Sequence, residues 1–149
     1  MKLIVNALEL RNNQTVIDLG AGDGAVIFAA AEKAFKQKLN VGFIAVDINP
    51  VLILIMYIRR LFHRNRKNIR IVRDDIFRIK FDKLHTPNSI FYTFYLYISP
   101  WYLERVIKNL ELKIKNFAVI SYMYPVKSLK KTERIIKGLK HDVFCYNVN

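Results

Sequence analysis

The segment Asp18-Leu19-Gly20-Ala21-Gly22-Asp23-Gly24 holds the densest concentration of potential chemistry in the chain. An acidic residue stands near the end of an apolar run, Thr15 to Leu19, and three glycines follow at alternate positions. Glycines let the backbone turn sharply and approach a ligand that any Cβ would block. A run of strong helix formers, Gly24 to Phe35, comes next. Unpaired N–H groups at the start of that helix would favour a carboxylate-bearing ligand. Gly20-x-Gly22-x-x-Ala25 also satisfies the dinucleotide pattern G-x-G-x-x-G/A, so the loop alone does not choose a ligand. Two more acidic positions close later apolar runs. Asp47 lies 29 residues after Asp18 and can accept hydrogen bonds from both hydroxyls of a ribose. Asp74-Asp75 ends the run that starts at Ile69.

These residues need a scaffold that brings strand ends together. Short apolar runs alternate with longer amphipathic stretches. Strands are predicted at Thr15 to Leu19, Val41 to Val46, Ile69 to Arg73, Ser89 to Leu96 and Phe117 to Tyr122. Helices are predicted at Gly24 to Phe35, from Pro50 through Val51 to Phe62, and from Pro100 to about Lys113, with both prolines suited to a first helical turn. This rhythm specifies an α/β fold with a mostly parallel, doubly wound sheet covered on both faces. In such sheets ligands sit beyond the carboxyl ends of the strands, near the switch point beside the first strand. The tail allows a helix over Ser128 to Leu139, or an antiparallel pair made of Arg134 to Gly138 and Val143 to Val148.

An acidic residue closing the first strand before G-x-G-x-G resembles motif I of the class I S-adenosylmethionine (SAM)-dependent methyltransferases. Three acidic strand ends after such a loop are more specific than any one of them. The resemblance implies a Rossmann-like methyltransferase fold and SAM as cofactor. It assigns Asp18, Gly20, Ala21, Gly22, Asp47, Ile48, Asp75 and Ile76 to the cofactor, with Asp18 and the glycines at the methionine end, Asp47 at the ribose and Asp75 at the adenine amino group. A nicotinamide dehydrogenase would need a substrate domain besides, for which 149 residues leave no room.

The segment after the fourth strand, Tyr92-Thr93-Phe94-Tyr95-Leu96-Tyr97-Ile98-Ser99-Pro100-Trp101, lacks the Asn/Asp-Pro-Pro-Tyr/Phe motif of enzymes that methylate adenine N6 or glutamine N5. With Ile120-Ser121-Tyr122-Met123-Tyr124-Pro125 it is similar to the small archaeal protein-lysine methyltransferases and their mitochondrial relatives. That likeness runs from about Val16 to the C-terminus and implies a lysine side chain of a protein as acceptor. It also implies a closing hairpin, which favours strands in the tail. Tyr95 and Tyr97 are then the candidate catalytic residues, lining with Trp101 an aromatic channel for the acceptor. Ala25 and Val26 stand where many relatives carry Arg and a β-branched residue. Only 17 residues precede Asp18, so a short lid over the cofactor is expected, without the membrane anchor of the mitochondrial relatives.

At 149 residues and 52 % apolar the chain is expected to form one domain, residues 1–149, with a substantial core. The single cysteine, Cys145, excludes an internal disulfide and fits a reducing, cytoplasmic setting, with its side chain buried as a small hydrophobe. His63, His85 and His141 are dispersed and form no metal-ligand pair. The longest apolar run, Val51 to Ile58, is far shorter than the roughly 20 residues of a membrane-spanning helix. The net charge is +13, with basic residues concentrated in Arg59 to Lys83 and Arg105 to Lys140. The excess fits two alternatives: a surface for RNA or an anionic membrane, or a Lys-, Asn- and Ile-rich composition of the kind an AT-rich gene encodes. Ile58 to Arg70 reads as a solvated helix end and loop, or as the segment that meets RNA phosphates or an anionic bilayer.

Overall fold

The computed structural model describes residues 1–149 apart from the side chain at position 82. In chain order the elements are α1 (Lys2–Ala7), β1 (Gln14–Leu19), α2 (Ala25–Lys36), β2 (Val41–Asp47), α3 (Pro50–Leu61), β3 (Ile69–Arg73), β4 (Phe91–Leu96), α4 (Pro100–Glu111), β5 (Phe117–Tyr122), β6 (Arg134–Ile136) and β7 (Val143–Val148). The strands form one sheet in the order β3-β2-β1-β4-β5-β7-β6. Strands β1 to β5 pair in parallel, while β7 runs antiparallel to both β5 and β6. This is the expected doubly wound α/β sheet, and the tail is the hairpin. Helix α1 is an element the sequence reading lacks.

The period-two alternation of the strands divides the core in two. Val16, Phe43, Ala45, Tyr95 and Ile120 pack beneath α1, α2 and α3. Ile17, Leu19, Phe94, Leu96 and Val119 pack on the other face, against Leu103, Val106 and Ile107 of α4. Asp18, one step from Ile17 and two from Val16, therefore points to the α1–α3 side and is buried there. The hairpin is pinned by a buried tyrosine. Tyr146 donates its hydroxyl proton to Glu133 at 2.7 Å and accepts the N–H of Val126 at 2.8 Å. Burial raises the pKa of that hydroxyl, first among its causes. Cys145, on the same strand, is buried as expected.

The order β2-β1-β4 makes β1 the switch point, where the chain leaves one half of the sheet for the other. The crevice beyond β1 and β4 is thus where the topology places a ligand.

Candidate functional site

At the end of β1 the chain passes through Gly20, Gly22 and Gly24 with φ of 88°, 59° and 78°. All three lie in the left-handed region that side chains with a Cβ disfavour. A Cβ on Gly20 would stand 3.3 Å from Ile98, which follows β4, while one on Gly22 would meet no atom within 4 Å. The loop is thus tight against the fourth strand at its base and open at its crest. Several of its N–H groups are already engaged. Gly20 and Ala21 donate to the Val46 carbonyl, each at 2.9 Å, and Gly22 donates to Asp47 Oδ2 at 2.8 Å. Ala25, the first residue of α2, donates to Asp23 Oδ1 at 3.1 Å. At the start of α2 the expectation of unpaired N–H groups is corrected at Ala25 alone, whose N–H Asp23 takes; the three loop N–H groups are turned to β2.

Asp18 lies at the root of this loop, 2 % exposed, and its Oδ1 has no hydrogen-bond partner among the described residues. Burial pushes its pKa up to about 8, with the charges of Asp47 and Asp23 adding to the effect. Asp23 is paired with Arg59 at 2.8 Å. A buried carboxyl group near other carboxylates, with an oxygen that no donor meets, is a site for a cationic donor.

Gly20, Asp47, Ile48, Asp74, Asp75, Ile76 and Phe77 line a cavity of about 310 Å³. Asp47 fixes its own loop as well, since Oδ1 accepts the N–H of Asn49 at 2.9 Å. Each of its oxygens keeps a second lone pair for a ligand hydroxyl. The two consecutive aspartates differ in their partner, and Lys83 takes the first. It pairs with Asp74 and holds that carboxylate below its usual range, while Asp75, also in the cavity lining, has the more distant Arg78 at 3.9 Å. Asp75 Oδ1 accepts the N–H of Phe77 at 2.9 Å.

No family model matches the chain. Residues of the chain are 24 % identical over 144 positions to a ribosomal protein L11 methyltransferase of Aquifex aeolicus, covering 93 % of this chain and 51 % of that protein. A "Probable ribosomal RNA small subunit methyltransferase A" of Methanosphaera stadtmanae is 26 % identical over 83 positions, 56 % of this chain and 28 % of that protein. The chain therefore spans at most about half the length of these curated relatives. Among solved structures, an RNA methyltransferase from Salinibacter ruber with S-adenosylhomocysteine superposes with a TM-score of 0.77 at 15 % identity, over 99 % of this chain and 88 % of that one. TrmK of M. capricolum, also with S-adenosylhomocysteine, gives 0.69 at 19 % identity, over 98 % and 66 %. The fold is that of the class I methyltransferases.

On this methyltransferase fold, five of the eight residues expected at the cofactor line one cavity: Gly20, Asp47, Ile48, Asp75 and Ile76. Gly22 joins them through Asp47, Ala21 lies between the two glycines, and Asp18 sits behind the loop. Tyr95 stands opposite Asp18 in the sheet register and is buried. Burial raises the pKa of its hydroxyl, with the charge of Asp18 next in size. Tyr97, just past β4, is 53 % exposed and packs edge-on against Tyr122 with ring centres 5.2 Å apart. Tyr122 in turn packs against His141 at 5.8 Å. Trp101 is 88 % exposed on α4, so no enclosed channel is formed by it. The sequence reading missed Phe77 as a cavity wall and Tyr122 with His141 as partners of Tyr97. Tyr122 carried a signal, lying at the end of a strand adjacent to β4. Met123 beyond it has a φ of 74°, a strained value for a residue with a Cβ.

Proposed function

We propose that this chain is a SAM-dependent methyltransferase whose acceptor is a lysine side chain of a protein. The observation that carries the cofactor is the unpartnered, buried Asp18 Oδ1 behind a glycine loop whose crest has room for a ligand. When bound, SAM supplies a methyl group already activated on a sulfonium sulfur. Asp18, ionised, attracts the ammonium of the methionine end, and the glycines allow close backbone packing along it. Asp47 accepts from the ribose hydroxyls. Ile48, Ile76 and Phe77 provide apolar walls for the adenine, and Asp75 accepts from its amino group. Such a site works mainly by aligning nucleophile, methyl carbon and sulfur, so no general base is obligatory.

The lysine reading rests on the tyrosines beside β4. An amine must arrive neutral to act as nucleophile, and an apolar, aromatic approach lowers its pKa. Tyr95 and Tyr97 flank that approach, and aromatic faces also attract a cation before it loses its proton. A second reading, RNA as acceptor, is favoured by the net charge of +13 and by the RNA-directed names of several similar proteins. Incubation with SAM carrying a labelled methyl group, against a protein lysate and against ribosomal RNA, separates the two. Label recovered as methyllysine is the expected result. Label in RNA alone contradicts the lysine reading, and no label in either fraction contradicts the enzyme.

A further inference from the structure

Helix α3 is apolar on two sides. Ile53 and Met56 enter the core. Val51, Leu54, Ile55, Ile58, Leu61 and the following Phe62 are all exposed, Leu54 by 60 %, Leu61 by 62 % and Phe62 by 86 %. Their spacing of i, i+3, i+4, i+7, i+10 and i+11 puts them on one continuous stripe. An outward helix face ordinarily carries charge of both signs, yet α3 has no acidic residue. Its charges are all basic. Arg59 and Arg60 end the helix. Beyond it Arg64, Arg66 and Lys67 join Lys36 and Lys38 from the end of α2 around an open concavity of about 860 Å³ that includes Phe35 and Phe62. The two acids beside this region are engaged: Asp23 with Arg59 at 2.8 Å and Glu32 with Lys36 at 3.4 Å.

We propose that this face docks on an anionic lipid bilayer, with the α3 stripe and Phe62 entering the headgroup–acyl boundary and the basic cluster meeting lipid phosphates. An aliphatic stripe bordered by cations and free of carboxylates matches that surface in both polarity and charge. A second copy of the chain does not, because a two-fold contact through this face would bring both basic clusters together on chains of charge +13. Nucleic acid uses the cations but finds no partner for valine, leucine and isoleucine side chains. Asp47 lies only three residues before Pro50, so docking would hold the cavity near the membrane plane. The proposal stands independently of the methyl-transfer reading.

The test is co-sedimentation of the full chain with phosphatidylcholine vesicles, with and without phosphatidylglycerol. Binding to the phosphatidylglycerol vesicles alone is expected. The triple variant Leu54→Gln/Leu61→Gln/Phe62→Gln keeps the charge and alters only exposed positions, and should lower partitioning by about tenfold or more. Arg64→Gln/Lys67→Gln should weaken binding and its salt dependence. Circular dichroism of each variant checks that the fold is kept. Failure to bind anionic vesicles, or equal binding by the triple glutamine variant, overturns the proposal. A dimer in sedimentation equilibrium that the same variant disperses also overturns it, in favour of self-association.

Discussion

Asp47 Oδ2 accepts the backbone N–H of Gly22 at 2.8 Å, which ties the end of β2 to the crest of the glycine loop. The same carboxylate is placed to receive a ribose. Asp47→Ala should therefore weaken SAM binding by roughly tenfold or more, through the lost acceptors and the loosened loop. Asp47→Asn, which keeps one acceptor, should fall between. Calorimetric affinities equal to that of the native chain would remove Asp47 from the site.

Asp18 makes a prediction in pH. Its folded pKa, about 8, lies above the ordinary 3.8. Between those values the folded chain holds a proton that the unfolded chain has lost, so stability falls as pH rises through that window and levels off above it. Asp18→Asn should flatten this dependence in thermal melts and raise the melting temperature near pH 8. Cationic SAM favours the ionised carboxylate, so its affinity should rise by roughly tenfold or more between pH 6 and pH 8 and level off above that. An affinity that falls over that range contradicts the role given to Asp18.

The glycines separate shape from stability. A Cβ on Gly24 would lie 2.8 Å from Phe28 Cε2 and 3.0 Å from Met56 Sδ, at a φ of 78°. Gly24→Ala should cost more than the about 1–2 kcal/mol of left-handed strain, because Phe28 must also move. Gly22→Ala meets no atom and should carry the strain alone, while placing a methyl group where the ligand passes. Denaturant melts should rank Gly24→Ala as the less stable, and SAM titration should show Gly22→Ala as impaired beyond its stability loss. The reverse ranking in melts would contradict the loop geometry.

In the hairpin, Tyr146→Phe removes the partner of the buried Val126 N–H and of Glu133. A loss of about 1–3 kcal/mol is expected, with the parallel part of the sheet retained. Unchanged unfolding in urea would show that the hairpin is held by apolar packing alone.

Much of this was legible beforehand. Strands buried on both faces read as apolar runs, and Gly20, Gly22 and Gly24 mark the sharp turn between β1 and α2. Asp47 and Asp75 were identifiable because a carboxylate at the end of an apolar run needs a reason to be there. Other features depend on distance in the chain. Lys83, nine residues away, pairs with Asp74, and the Val46 carbonyl takes N–H groups 26 and 25 residues earlier. Helix α1 has only six residues and is held by packing of Ile4, Val5 and Ala7, so local periodicity is a weak sign of it. The exposed stripe of α3 is apolar in sequence and looks like core until the structure shows that Ile53 and Met56 alone face inward.

The most direct measurement is isothermal titration of the chain with SAM and, separately, with NAD. Saturable binding of SAM, lost or strongly weakened in Asp47→Ala, with no binding of NAD, is the predicted result. Absence of SAM binding, or tight binding of NAD, would contradict the assignment of this loop and cavity to SAM.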